Sequence, residues 1–405
     1  MSQANVDVHE TLSPEQVRTI SGELGEPEWL LETRLDALEA LGELEMPKVI
    51  RTPGRDWTDL HGLAFEEFVD PLKGTQQKDR VTAAGAEVLD WETALTEHGD
   101  LIETEFGRTV DPERNYLTAL STALFSTGTV VYVPEGVRAE DVTIRTTTNS
   151  RSLFNYTLVV AEESASVTIL ERQDTGDSPG DRQYYSGIVE AIAGENARIQ
   201  YGTLQQLDED AYNFQTKVGR AGQYGQVNWI EGTIGSRLNK STVETHLEGQ
   251  GAESTIVGAF FGRGDQHFDV ASRVWHEAEH TTADLVTRGV LDDQARSVYE
   301  GVQDVGSKAW DTNSYQRENT LMLSDESEAD ASPKLIINNH DTEASHSATV
   351  GQVDAEEMLY MTSRAIDPDT ATDMLVEGFF VPVMEEIEVK EFREDLEAAI
   401  TARLG

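Results

Sequence analysis

Two hydrophobic rhythms divide the chain. Up to about residue 115 and beyond residue 351, apolar residues recur at helical spacing; between them the runs are short, alternating and β-branched. Near the start, Ser13 can cap a helix, Pro14 suits its first position and Gln16 completes a capping box. A second helix is predicted from Pro27, with Trp29, Leu30, Leu35, Leu38 and Leu41 on one side and Pro47 as the stop. Trp91 to Phe106 reads as a third. A short helix from Tyr116 to Phe125 breaks at Gly128 and gives way to the strand-like run Thr129–Val133.

From there to about residue 340, small residues introduce β-rich runs again and again: Ala165, Ala197, Gly225, Ala252 and Ala295. Several lie about thirty residues apart, which suits a repeat architecture. Arg198-Ile199-Gln200-Tyr201 and Ser297–Val302 alternate as half-buried strands do. Periodicity alone leaves a parallel β-helix and a β-sandwich open. Helices are predicted again at Ala355–Ala365, from Pro368 with Phe379, Phe380 and Val383 and an interior Pro382, and at Lys390–Leu404. Three units follow: residues 1–115, 116–350 and 351–405.

Charge changes the picture more than length does. The 405 residues hold 75 acidic and 31 basic side chains, a net charge of −44. The acids are spread along strands and helices rather than gathered in a tail, as expected for a folded chain living in molar salt. No cluster of Lys and Arg exists to bind a polyanion, so a nucleic-acid partner is not expected. Cysteine is absent, which excludes disulfides and thiolate ligands. No apolar run reaches the ~18 residues that span a bilayer, and MSQANVDVHE lacks the features of a signal peptide. A cytoplasmic protein with no membrane partner is expected.

Few motifs carry chemistry. His276-Glu277-Ala278-Glu279-His280 fits H-E-x-x-H, but its flanks alternate like strands. On a strand, residues four apart stand more than ~10 Å from one another and cannot share a zinc ion. The insertion QDTGDSPGDRQ (173–183) places Asp174, Asp177 and Asp181 in a loop without EF-hand spacing. FGRGDQ (261–266) reads as a turn, and no phosphate-binding or nucleophile-elbow motif occurs. His346, in the loop-like stretch DTEASHSATVG, is on these grounds alone a hydrogen-bonded structural histidine; His340 reads as a strand-end residue.

A resemblance changes the weight of His346. ADASPKLIINNHDTEASHSATVG, followed by DAEEMLYMTSRAIDPDTATDMLVEGFFVPVMEEI, resembles the C-terminal block of the SufB/SufD family of iron–sulfur cluster assembly scaffolds. YLTALSTALFSTGTVVYVPEGV, EPEWLLETRLDALEALGELEMP and RDWTDL, with Trp57 and Leu60, add to it. The resemblance implies a mainly β fold: a right-handed parallel β-helix between N-terminal and C-terminal helical domains. It implies a non-catalytic scaffold that pairs with a SufB-like subunit and docks a SufC-like ATPase through the C-terminal helices, at Phe379, Phe380 and Val383. His346 would then be a metal ligand of a nascent cluster shared across the interface, with no cofactor held stably by this chain alone. A homodimer of the isolated chain is a further pairing it allows. Because cysteine is lacking, the SufD branch is implied over the SufB branch, and Ala344 stands where some members carry a cysteine. A SufB-like cluster holder and a β-helix carbohydrate-processing enzyme are the alternatives. On physical grounds the last helices are also expected to cap the open end of the solenoid.

Overall fold

The computed structural model describes residues 12–45, 76–77, 80–81, 85–148, 152–176 and 183–404. Pro47, Trp57, Leu60, Asp177 and Asp181 lie outside them. The alternating runs become a solenoid of two parallel sheets whose strands are used in turn. One sheet runs β5 (Arg138–Thr148), β7 (Ser166–Thr175), β9 (Arg198–Gln206), β11 (Gln226–Thr233), β13 (Glu253–Gly262), β15 (Thr282–Leu291), β17 (Thr312–Met322) and β19 (Thr342–Gln352). The other runs β4 (Thr127–Val133), β6 (Ser152–Ala161), β8 (Tyr184–Ala193), β10 (Tyr212–Ala221), β12 (Leu238–Leu247), β14 (His267–His276), β16 (Arg296–Val305) and β18 (Glu328–Ile337). Short antiparallel strands β1 (Gln76–Gln77) and β2 (Arg80–Val81) join β5, and β3 (Glu87–Asp90) joins β4. Pairing therefore crosses residue 115.

Seven of the eight corners leading into the first sheet place one residue in the left-handed region. Gly136, Ser164, Asn196, Tyr224, Gly251, His280 and Asp311 hold it, with φ between 54° and 70°. Six of them donate their N–H to the corner of the next coil, as Ser164 does to Glu195 O at 2.8 Å and His280 to Trp310 O at 2.8 Å. The small residues that mark the repeat follow immediately: Ala165, Ala197 and Ala252 are buried because a larger side chain would fill the corner from inside. Inside, Val131, Val159, Val189, Ile199, Val227, Ile256 and Leu285 form the apolar part of the core. Polar groups share the interior in the early coils, and the charged ones among them are paired. Glu171 accepts from Tyr201 Oη at 2.9 Å and Thr146 Oγ1 at 3.1 Å. Lys217 Nζ meets both oxygens of Glu231 at 2.8 Å.

The N-terminal helices cover the outside of the second sheet. They are α1 (Pro14–Glu23), capped by the Ser13–Gln16 box, α2 (Glu28–Ala40), α3 (Trp91–Glu97), α4 (Gly99–Glu105) and α5 (Tyr116–Leu124). The helix expected over Trp91–Phe106 is thus two, broken at His98, whose ψ of 30° leaves the helical well. Arg34 of α2 is fully buried. It forks onto Glu26 at 2.6 and 2.7 Å and donates to the carbonyl of Ala123 at 3.2 Å, at the C-terminal end of α5. Glu190, on the outer face of β8, is closed over by the loop after α4. It accepts from the N–H groups of Gly107, Thr109 and Val110 and from Tyr156 Oη, at 2.7–3.0 Å.

The C-terminal helices are α6 (Ala355–Ser363), capped by Asp354, α7 (Pro368–Glu386) and α8 (Lys390–Thr401). They do not cap the open end. α7 and α8 lie along the outside of the first sheet, where Val376, Phe380, Val383, Phe392, Leu396 and Ile400 bury Leu170, Leu204, Ile230, Val257 and Val286. The outward face of these strands is apolar, so covering it releases more water than covering a polar solenoid end. Gly202 makes room for the helix, since a Cβ there would stand 3.0 Å from the Phe392 ring. No helix among the described residues is long and apolar enough to cross a membrane.

Two predictions follow from these charges. Most of the acidic excess faces solvent, while several basic groups are already committed, as Arg172 is to Glu391 and Asp395. Screening should therefore stabilise the fold: the melting temperature is expected to rise from dilute buffer to about 2 M KCl, where the Debye length is only about 2–3 Å. A melting temperature independent of salt would refute this. The second concerns Glu190, whose carboxyl burial pushes from 4.5 up to about 7 against the pull of its four donors. The folded chain holds this proton more tightly than the unfolded chain. Its stabilising contribution is therefore complete below 4.5 and is lost as pH rises through 7, up to about 3 kcal/mol in all. Melts of wild type and Glu190→Gln at pH 5.5 and 7.5 in constant salt read this. The variant should gain less on acidification, and equal gains would show that Glu190 does not carry it.

Candidate functional site

The last coil of the solenoid, β18 and β19, ends both sheets, and no further strand pairs with either among the described residues. His346 sits in the middle of β19. The histidine expected in a loop is therefore on a strand, with its backbone fixed by the ladder to β17. Register settles the side on which it lies. Thr342, Ala344, His346, Ala348 and Val350 sit over Thr312, Ser314, Gln316, Glu318 and Thr320, the buried inward positions of β17. In a parallel pair, residues in register share a face, so His346 stands on the inner column of the solenoid. With no coil above, it is exposed. Apolar residues ring the same end: Ile336 and Ile337 are 43% and 45% exposed, and Val350 41%.

Directly beneath, the interior changes character. Gln303 of β16 and Gln316 and Glu318 of β17 are inward and at most 1% exposed. Thr320 Oγ1 donates to Glu318 Oε1 at 2.6 Å, yet Oε2 has no hydrogen-bond partner, nor does Gln303 Oε1 or either end of the Gln316 amide. Burial pushes the Glu318 carboxyl up to about 7. A sequence signal for these residues did exist: the inward positions of TNSYQRENT (312–320) are Thr, Ser, Gln, Glu and Thr where earlier coils alternate with Val, Ile and Leu. The alternation alone does not say which set faces inward.

The other candidates separate. His276 lies buried at the end of β14, with Nδ1 2.8 Å from Thr281 Oγ1 and Nε2 3.0 Å from Ser314 Oγ; burial pulls its pKa down to about 4. Glu277 pairs with His246 at 2.7 Å and His280 with Asp311 at 2.7 Å. The H-E-x-x-H residues thus point three ways, as a strand end and corner require. His340 occupies the exposed bend between β18 and β19, a bend held by Asn339, whose Nδ2 donates to Ala309 O at 2.7 Å. Asp174 belongs to β7 and accepts from Thr147 Oγ1 at 2.6 Å. On the surface, Glu87, Glu97 and His98 bring their ligand atoms within 4.8 Å of one another.

Phe379, Phe380 and Val383 do not form one outward stripe. Phe380 and Val383 are buried against the solenoid, and Arg288 lies over the Phe379 ring at 4.7 Å and donates to its carbonyl at 2.6 Å. Val383 is spent on the chain's own core, while Phe380, though buried, also borders the outward side of α7. What α7 and α8 leave outward is a groove of about 760 Å³ whose lining includes Met374, Val381, Met384 and Ile400, with Glu377 and Arg393 among its polar residues. Met374 and Val381 are half exposed.

A histidine fixed on a strand at an uncovered end, in a chain without thiolates, can supply one borderline ligand but cannot enclose a metal group alone. The family described as SUF system FeS cluster assembly, SufBD core domain, matches residues 144–379. The iron–sulfur cluster assembly protein SufD of Bacillus subtilis is 29% identical over 97% of this chain and 98% of its own length. Iron–sulfur cluster assembly SufBD family proteins of Staphylococcus saprophyticus and Staphylococcus haemolyticus are each 28% identical over 92% of this chain and 88% of theirs. With the family's core spanning more than half of the sequence, and a parallel solenoid flanked by helices to match, the chain belongs to the SufB/SufD family of SUF iron–sulfur cluster assembly proteins and is SufD-like.

Proposed function

We propose that this chain is a non-catalytic scaffold subunit that joins its open solenoid end to a SufB-like subunit and contributes His346 to a cluster assembled at the seam. The observation that carries this reading is the place of His346: on the inner column of the last coil, onto which no further strand pairs among the described residues. A free strand edge and the exposed Ile336, Ile337 and Val350 give a partner both backbone groups and apolar surface to pair with. The thiolates and carboxylates that complete the cluster come from the partner, since this chain has no cysteine. In the absence of the partner, the same end is the natural contact for a second copy.

The SufC-like ATPase docks on the outward groove of α7 and α8. Both helices rest on the solenoid through Phe380, Val383, Phe392 and Leu396. Movement of the ATPase would therefore be carried into the sheets rather than absorbed by a flexible hinge.

In the complex reconstituted with both partner subunits, His346→Ala should leave assembly intact and lower bound iron and sulfide by at least about tenfold. His340→Ala, on the adjacent bend, should not. Equal cluster content in the His346 variant and wild type would make His346 structural. For the ATPase, removing residues after 351 would lay bare Leu170, Leu204 and Ile230, so point variants are the cleaner test. Met374→Glu with Val381→Glu should weaken ATPase co-purification by at least about tenfold without changing the melting temperature. Unchanged co-purification would place docking elsewhere.

A further inference from the structure

A second group of metal-ligating side chains lies far from His346, at the first coil, where β3 forms the edge of the second sheet. Glu87 stands opposite Tyr132 across the β3–β4 ladder. Glu97 ends α3, and His98 is the residue at which the helix breaks before α4. On an unbroken helix two successive side chains diverge by about 100° and do not face each other. With φ −128° and ψ 30°, His98 leaves that course. As a result a ring nitrogen of His98, a carboxylate oxygen of Glu97 and one of Glu87 all lie within 4.8 Å of one another. The ring is held where it is. It rests against Tyr132, with centroids 4.7 Å apart, and its Nε2 meets Glu87 Oε2 at 2.7 Å.

The trio holds more than a salt bridge needs. The ion pair joins Glu87 and His98; Glu97 brings a second negative charge to the same point. The field there is anionic already: burial, then the charges of Glu162 and Glu87, raise the pKa of the Tyr132 hydroxyl above its ordinary value. Two ligands of one ion stand about 3–3.5 Å apart, because each lies about 2.1 Å from it. Atoms already gathered this closely need a shift of at most about 1.5 Å, which the exposed Glu97 can supply by rotation. A nitrogen beside two oxygens, without thiolate, suits the borderline divalent ions, whereas Ca²⁺ and Mg²⁺ take oxygen ligands.

We propose that Glu87, Glu97 and His98 form a surface site for one divalent transition-metal ion of the Mn²⁺, Fe²⁺ or Zn²⁺ class, with its remaining coordination positions open to water. The ion ties β3, a strand of only four residues, to the junction of α3 and α4, and so braces the N-terminal layer against the first coil. The site does not depend on the role given to His346, which stands on β19 in the last coil.

Zn²⁺ provides the probe. The full-length chain is titrated with ZnCl₂ in about 2 M KCl, which screens the diffuse acidic surface, against a chromophoric chelator that reports free Zn²⁺. One tight site is expected, weakened at least about tenfold in His98→Ala, in Glu87→Gln and in Glu97→Gln, and unchanged in His346→Ala. Glu97→Gln decides the matter: its side chain is exposed, so the fold does not rest on it, and a salt bridge between Glu87 and His98 alone would not feel its loss. Saturating Zn²⁺ should also raise the melting temperature of wild type by more than that of Glu97→Gln. A tight site or an equal thermal gain that survives Glu97→Gln would overturn the assignment, as would a site lost in His346→Ala. So would the absence of any tight site, which would leave His98 and Glu87 a surface ion pair only. Cluster content of the reconstituted complex is read separately, so this site and the role of His346 fail separately.

Discussion

Every coil of this solenoid must place its residues directly over those of the coil below. That single constraint, imposed by parallel hydrogen bonding in register, fixes most of what is observed. A residue that faces inward in one coil commits its counterpart in the next. Corners repeat a left-handed residue because each must turn the chain through the same angle. A slip of one residue would turn a whole strand inside out unless a bulge takes up the extra residue, as between Ala139 and Val142 of β5, where both stay in the core. His346 is thus oriented by Gln316, and Gln316 in turn by the coils beneath it.

The constraint also explains how much of the molecule was legible in its residues. Ala165, Ala197 and Ala252 betrayed the repeat because the corner leaves no room for anything larger, and the Ser13–Gln16 box marked a helix start that the structure keeps. What stayed hidden depends on packing. The alternation around His346 looks like a loop because the last coil has no core above it to demand apolar residues. The break at His98 is marked only by Gly99, and an isolated glycine inside a helical pattern is a weak signal. The C-terminal helices carry an apolar stripe, and a stripe does not say whether it meets a sheet of its own chain or another protein. Phe380 and Val383 meet the sheet.

The helices that flank the solenoid differ in what they cover. The N-terminal set closes over the second sheet with buried charge: Arg34 on Glu26 and the end of α5, and Glu190 beneath the loop after α4. Such contacts are specific in geometry and lose their value if one partner is removed, so they fix this layer in one arrangement. The C-terminal pair is held mainly by apolar area, with Arg172 and Arg288 at its rim. Apolar contact tolerates small sliding better than a buried ion pair does. A mechanical input would thus more readily be taken up by α7 and α8 than by the N-terminal layer.

The interior itself divides along its length. In the early coils, Lys217, Glu231, Glu171 and Tyr201 answer one another and the lumen is closed chemistry. Toward the open end Tyr299 and Val305 share the lumen with polar groups, Gln303, Gln316, Glu318 and finally His346. An end designed only to terminate a solenoid would be sealed by a capping helix or a polar outer face. Here the capping helices lie on the side, the rim is apolar and the lining is polar. That combination is unfavourable for an isolated chain in water, and it becomes favourable once a second surface covers the rim while the lining faces what the two enclose. The arrangement of the last coil is thus the one that the proposed seam with a partner subunit requires.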